Sequence, residues 1–436
     1  MFIMFKAEWN FLLKNKKILI VLLAIALIPA IYCYIYLSAM WNTYGMVNNI
    51  PVAIVNNDRS ANFNNKKITI GKNLTDNLKK KNTFDFKEMS YQKAERELQN
   101  GKTYMIINIP KDFSKNASTL LSKTPRKMEI NYRINSGQNF IVSKITTGGA
   151  TNINQKVSDQ VAATYSNVIL QALNGAQNGM RQAGAASNTM SNQITSPQLK
   201  AGTSHLSMAL LNGAAKLSTI STNTSNADHL STPISEHLVD INKVPNNGTG
   251  MAPFAIALGL YVGGIALGTM YDGFDPHKKV TSAFSWWASK ASVIGTVGVT
   301  QSAILFLTLI KFNNLVVGNQ LMLFIELLLG SFLFQSLIFC LSTLLGGIGT
   351  WLVSIILVTQ VVSSGGLYPT QLVNHFSQSM NQWLPMTYLI NSLRSTISTN
   401  LSIQSDILIM IAMIIFFNTL LLAKFKISIK QDVINI

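Results

Sequence analysis

Glu326 is the ionisable residue whose position asks most for an explanation. It sits a turn or two inside an apolar run, Leu321–Leu344. A charged group placed there is expensive and faces a cavity or a partner. Two readings are open: it lines a path for a polar substrate, or it is an edge carboxylate that snorkels to water or pairs with Lys311 or Arg394. Other chemistry-bearing residues are dispersed. His205, His229, His237, His277 and His375 form neither an HExxH motif nor a His/carboxylate group, so they read as surface or interfacial side chains and no metal site is expected. Cys33 and Cys340 both lie in apolar runs and cannot build a disulfide framework. No GxxxxGK[ST] loop is present, Gly71-Lys72 lacks the glycine spacing that cradles phosphates, and no GxSxG elbow occurs. The sequence therefore gives no support to an enzyme and calls for no cofactor.

The elements that carry these residues are distributed unevenly. One apolar run extends from Ile18 to about Leu37, a polar stretch follows to residue 250, and five further runs fall near Pro253–Met270, Ala288–Ile310, Leu321–Leu344, Ile348–Ser364 and Ile407–Ala423. About twenty apolar residues suffice to cross the hydrocarbon core as a helix. The expected fold is a polytopic α-helical membrane protein of six spans with one large loop between the first and second. A mean hydropathy of +0.26 with 12% charged residues fits that two-part layout. The first run is longer than a signal-peptide core, and Leu37 and Ala39 make no small-x-small cleavage pair, so it reads as an uncleaved anchor.

Charge sets the expected topology. Lys6, Lys14, Lys16 and Lys17 precede the first span, Lys278, Lys279 and Lys290 lie between the second and third, and Lys424, Lys426 and Lys430 follow the last. Basic flanks stay cytoplasmic, which puts both termini inside and the large loop outside. Residues 42–250 hold 23 basic and 12 acidic side chains, a net +11, but loops this long escape the rule. A basic domain on a membrane protein faces anionic lipid headgroups or, outside, anionic wall polymers rather than nucleic acid. Phe2, Phe5, Trp9, Leu12 and Leu13 can share one helical face, as in a helix lying in the interface.

The expected divisions are an interfacial elbow helix at 1–17, a first span at 18–40, an extracellular α/β domain at 41–136, a helical and linker region at 137–250, and a membrane domain at 251–436. Strand signals fall at Val52–Val55, Tyr104–Ile109 and Lys127–Ile134. Helix signals fall at Leu74–Lys81 and Gln92–Leu98, the latter closing on Asn100-Gly101. Beyond Ser136 two weakly apolar stripes need a partner face: Val157, Val161, Tyr165, Val168 and Ile169, and then Leu206, Leu210, Gly213 and Leu217. Residues 223–250 read as a linker. In the second span Gly259 with Gly263, and Gly264 with Gly268, have the four-residue spacing that lets helices approach closely.

Several stretches in order carry a resemblance: Val52-Ala-Ile-Val-Asn-Asn-Asp58, Ile68-Thr-Ile-Gly71, Ala94 with Gly101-Lys-Thr-Tyr104, Ile109-Pro-Lys-Asp-Phe-Ser114, Gly366-Leu-Tyr-Pro369, and Leu384-Pro-Met-Thr-Tyr388 with Asn391 and Arg394. Together they resemble the YhgE/Pip (phage infection protein) family of bacterial membrane proteins, which is similar to ABC-2 type permeases. The resemblance covers both ends of the chain, although family members often carry a longer helical insert than residues 136–246. It implies export of a lipid-linked, polymeric or peptide substrate powered by a separate P-loop ATPase subunit, a homodimer, and an outer segment at about 365–400 that re-enters the bilayer. The alternative it implies is a surface receptor or secretion scaffold. A cytoplasmic coupling segment is also implied. Asp275-Pro276 supplies an N-cap and a proline at N1 for a short helix carrying Phe284, Trp286 and Trp287, which would either seat in the ATPase or form an interfacial aromatic belt.

Overall fold

The computed structural model describes residues 2–63, 66–119, 122, 124–137, 139–220, 230–231, 239–240, 242–399 and 401–430. His229, His237 and most of the expected linker (223–229, 232–238 and 241) lie outside the described residues. The chain divides into two compact units, residues 46–239 and residues 1–45 with 240–436. The second of these opens with α1 (Phe2–Lys14), broken at Asn15 from α2 (Lys16–Met40).

Residues 46–239 begin as a layered α/β fold. Its strands and helices are β1 (Pro51–Asn56), β2 (Ala61–Phe63), β3 (Lys66–Ile68), α3 (Ile70–Lys81), β4 (Asp85–Glu88), α4 (Tyr91–Gln99), β5 (Met105–Ile109), α5 (Phe113–Ser118) and β6 (Asn131–Ile134). The main sheet runs β4-β1-β5-β6, with β1 parallel to β4 and β5, and β6 antiparallel to β5. Both central strands are largely apolar, Val52–Val55 and Met105–Ile107, because both faces are covered. Val52, Ile54, Met105 and Ile107 pack with Leu74 and Leu78 of α3, whereas Ala53, Val55 and Ile106 pack with Ala94 and Leu98 of α4. Gly101, at φ +73°, ends α4 as the Asn100-Gly101 pair predicts. The expected strand at 127–134 pairs only over Asn131–Ile134. The short polar β4 and the β2-β3 hairpin have too little periodicity to be read from sequence.

Asp58 fixes this layer. Its Oδ1 accepts the Ser114 N–H at 2.8 Å, and its Oδ2 accepts the Gly71 N–H at 3.0 Å and the Ser114 hydroxyl at 2.5 Å. One carboxylate thus satisfies the open N–H groups of two helices, where a negative charge also suits the dipoles. A side chain at Gly71 would place its Cβ 2.6 Å from that of Asp58, so the approach requires glycine.

After the sheet come α6 (Phe140–Gln193) and α7 (Pro197–Ser218). The 54 residues of α6 make a rod about 80 Å long. They are two helices that cover each other, but the seam differs from the expected stripe. Leu206 is exposed, whereas Ser207 and Ala214 are buried. Ser207 donates to the Gly184 carbonyl at 2.8 Å, Ser187 to Thr203 at 2.8 Å, and Gln177 to Ala214 at 3.4 Å. Small residues bring the backbones close enough for hydroxyls to reach opposite carbonyls, while Leu210 and Leu217 stay half-buried, Leu210 against Gly184.

The remaining helices are α8 (Asn247–Met270), α9 (Ala283–Leu307), α10 (Gln320–Leu345), α11 (Gly347–Ser363), α12 (His375–Asn381), α13 (Pro385–Arg394) and α14 (Gln404–Lys430). Five stretches among the described residues are long and apolar enough to cross a membrane: α2, α8, Ala283–Phe312, α10 and α14; α11 is a shorter apolar helix. Asn246, Ser282, Asn319 and Asn374 each cap a helix with a side-chain oxygen. Gly346, at φ +59°, breaks α10 from α11. The glycines of α8 are contact points inside this unit. Gly259 faces Pro29, Tyr32 and Cys33 of α2, Gly263 faces Pro29 and Gln301, and Gly264 and Gly268 face Ile338.

Replacing Asp58 by alanine strands three donors at two helix starts and should cost about 1–3 kcal/mol. Limited proteolysis of the full chain checks this: cleavage within residues 46–136 should begin at a lower temperature than in the parent. Unchanged protection would show the carboxylate to be dispensable.

Candidate functional site

The sequence around α1 builds a buried ion pair. Met4, Glu8 and Leu12 recur at four-residue spacing and form the buried face of the helix, while Phe5 and Leu13 of the expected face are exposed. Glu8 is the only acidic residue before Asp58, and it lies on that apolar stripe. Its Oε1 is 3.0 Å from the Lys290 ammonium and accepts the Tyr271 hydroxyl at 2.7 Å. Both Glu8 and Lys290 are 2% exposed. Lys290 donates a second bond to the Asp272 carbonyl at 3.0 Å. His277 stacks on Phe11 at 3.7 Å between ring centres, with Nε2 3.5 Å from Glu8 Oε1.

The pair draws together three segments: α1, the 271–282 connection and the second turn of α9. Taking two charges out of water costs several kcal/mol per ion, and the charge-assisted hydrogen bonds offset it only in this geometry. Burial, and then the Glu8 carboxylate beside it, raise the Tyr271 phenol far above its ordinary pKa, so it remains a neutral donor. Burial would raise the Asp272 carboxyl, but the Phe274 and Asp275 N–H groups that donate to it hold it below the usual range. Burial lowers the pKa of His277, outweighing the Glu8 carboxylate.

The aromatic residues of the expected coupling helix lie beside this pair, in a different local structure. Asp275 and Pro276 start no helix. Residues 271–282 are irregular, and Ser282 caps α9 by accepting the Ser285 N–H. The Asp272 carboxylate accepts the Asp275 N–H and closes a turn there, which competes with a helix start. Trp286 is fully buried, stacked on Phe425 at 4.4 Å, and donates to the Phe274 carbonyl at 2.8 Å. Trp287 donates to Asn418 at 3.0 Å, and Asn418 to Ser336 at 2.8 Å. Phe284 alone of the three is exposed. Trp287, Asn418, Ser336 and Phe425 line a cavity of about 300 Å³ between α9, α10 and α14.

Glu326 occupies a second buried polar site. Its Oε1 accepts the Ser392 and Thr396 hydroxyls, the latter at 2.8 Å, and its Oε2 has no partner among the described residues. It pairs with neither expected cation. Arg394 turns to the Gly365 carbonyl at 3.0 Å, and Lys311 is exposed in a π-helical turn after α9. Further buried amides, not singled out from sequence, lie in the same unit. Gln301 donates to Ser331 at 2.5 Å, Gln360 accepts the Met386 N–H at 2.9 Å, and both amide atoms of Gln335 lack partners among the described residues. The signal available was the same as for Glu326: a polar side chain within an apolar run. Among the described residues no cluster of His, Cys, Asp and Glu could hold a metal ion.

Two predictions follow from the ion pair. Glu8→Ala leaves the ammonium buried and unpaired and should lower stability by about 3–5 kcal/mol. Lys290→Met combined with Glu8→Gln should recover much of that loss, measured as a thermal-unfolding cycle in detergent; additive losses would show no coupling. Second, the His277 pKa lies below its unfolded value of 6.5. The unfolded chain therefore binds the extra proton first, so the stability held above pH 6.5 is lost as pH falls through the lower folded value. Protection of residues 271–282 from proteolysis should drop over that window in the parent and stay flat in His277→Gln, and equal profiles would remove His277 from the clamp.

Comparison with known proteins places this geometry in context. The chain is 36% identical over 165 residues to the uncharacterized protein YhgE of Bacillus subtilis (strain 168), covering 38% of this chain and 21% of that protein. It is 32% identical over 130 residues to the type VII secretion system accessory factor EsaA of Staphylococcus aureus (strain USA300), covering 30% of this chain and 13% of that protein. The matched parts are about a fifth or less of those relatives. No solved structure matches. A family model described as ABC-2 family transporter protein matches residues 16–423, so the chain belongs to that family.

Proposed function

We propose that this chain is the membrane subunit of an exporter that moves a lipid-linked, polymeric or peptide substrate and draws its energy from a separate P-loop ATPase. It works as a homodimer of six-span bundles in a bacterial plasma membrane, with the shorter α11 as the fifth span and α14 as the sixth. Both termini are cytoplasmic and residues 46–239 lie outside. The segment at about 365–400 enters the bilayer from the outer side, where α13 is covered by buried contacts of Met386, Leu389 and Ile390.

The observation that carries the reading is the Glu8–Lys290 clamp. It ties α1 and the 271–282 connection to α9, so a push on that connection reaches a membrane helix through a buried ion pair and not through a loose loop. Lys278, Lys279 and Phe284 are exposed on this segment and offer a surface to a partner, with Asp275 beside them, while Trp286 and Trp287 hold its inner side. Glu326 and the buried amides supply polar groups along the bundle interior. Anionic lipids or wall polymers suit the +11 charge of residues 42–250.

A second reading, a receptor or secretion scaffold, is favoured by the relation to a secretion accessory factor and by the separate core of residues 46–239. Mild crosslinking in the native membrane followed by mass spectrometry separates the two. The exporter reading expects a P-loop ATPase crosslinked to residues 275–284, with its yield reduced about tenfold by Phe284→Glu with Lys278→Glu at unchanged expression. Recovery of self-dimers with only wall or secretion components would move the assignment to the scaffold.

A further inference from the structure

A cavity of about 850 Å³ lies wholly within residues 46–239, between α3, the adjoining face of the sheet and the first turns of α6. Its size falls in the range of sites that enclose a whole small molecule. Leu78, Phe84 and Ile153 form its apolar floor, which is continuous with the core of the α/β layer. Lys81, the last residue of α3, and Lys156 of α6 lie at its edge, both exposed, and neither makes an ion pair among the described residues. Asp159 also lines the wall, where the Gln155 amide donates to it at 2.9 Å.

The wall contributed by α6 is unusually bare. Gly149 lets the Phe84 ring lie against the helix backbone, with a Cβ there only 2.5 Å from the ring. At Gly148 an added Cβ would meet nothing within 4 Å, so this residue opens directly on free space. An apolar floor excludes a simple anion, which would lose water without compensation. Two unpaired ammonium groups at the edge favour a ligand that is charged only at one end, and lysine serves phosphate well as a point charge.

We propose that this cavity binds a single-chain amphipathic anion: an acyl or prenyl chain lies on Leu78, Phe84 and Ile153, and a phosphate headgroup meets Lys81 and Lys156. Binding here requires neither an ATPase nor transport, so failure of this assignment leaves the exporter reading standing.

The test is photocrosslinking of the full-length protein in detergent with a diazirine-bearing 1-oleoyl lysophosphatidate, followed by peptide mapping. Label is expected on peptides from residues 74–86 and 145–163. Gly148→Trp fills the open space without a Cβ clash and should abolish that label. Lys81→Ala with Lys156→Ala, at exposed positions that leave the core intact, should weaken it about tenfold, the scale of two charge-assisted contacts. Unlabelled lysophosphatidate should compete, whereas 1-oleoyl lysophosphatidylcholine and glycerol phosphate should compete poorly. Label confined to residues 2–45 and 242–430, label unchanged in these variants, or equal competition by either control would overturn the proposal.

Discussion

A buried charge must find its counter-charge or the segment carrying it will not stay buried, and the helical unit is organised around that constraint at Glu8 and Lys290. The pair joins a helix near the start of the chain to residues more than two hundred and fifty positions later, and every adjoining polar atom is drawn into it: the Tyr271 hydroxyl, the Asp272 carbonyl and, at longer range, the His277 ring. Hydrophobic packing alone could hold α1 against the bundle. It would not fix its register, because apolar contacts are tolerant of sliding by a residue or two. An ion pair with two further hydrogen bonds has one register only.

The same reasoning separates the two buried carboxylates of this unit. Glu8 has a cation and a phenol. Glu326 has two hydroxyls and an oxygen without a partner among the described residues; of its two expected cations, Arg394 bonds the Gly365 carbonyl and Lys311 is exposed. Glu8 therefore has the environment of a fastening, in which each oxygen contact holds a segment. Glu326 has residual hydrogen-bonding capacity in the helix interior, as do Gln335 and Gln301, which is the property a polar path needs and a structural pair does not.

Much of this architecture is legible in the sequence because its signals are long or repetitive. Apolar runs of span length, the strand signals at Val52–Val55 and Tyr104–Ile109, the Asn100-Gly101 helix end and the glycines of α8 all announce their local role. What fails to show is set by which of several possible partners a residue finds. Asp275-Pro276 has the right residues for a helix start, but Asp272 takes the Asp275 N–H into a turn and the helix begins seven residues after Pro276 at Ala283. The α6–α7 seam adds buried Ser187, Ser207 and Ala214 to the expected stripe and leaves Leu206 exposed, because hydrogen bonds to carbonyls reward close approach there. Glu8 is visible only as an oddity, an acidic residue on an apolar face, until Lys290 is placed against it.

These placements bear on how a permease-like subunit and a large domain can share one chain. In the proposed exporter, work delivered at the 271–282 connection would be transmitted by α9, whose inner face carries Lys290, Gln301 and Ser302 in succession along the helix. A displacement of α9 therefore moves Lys290, Gln301 and Ser302 together, since all three lie on one rigid element. The Gln301–Ser331 bond and the Ser302–Leu327 bond connect that element to α10, the helix that also bears Gln335 and Glu326. The route from the clamp to the interior polar groups thus needs only two adjacent helices and four hydrogen-bonding side chains. A scaffold that merely anchored residues 46–239 would have no use for such a connection, and apolar residues at Gln301, Ser331 and Gln335 would serve it better.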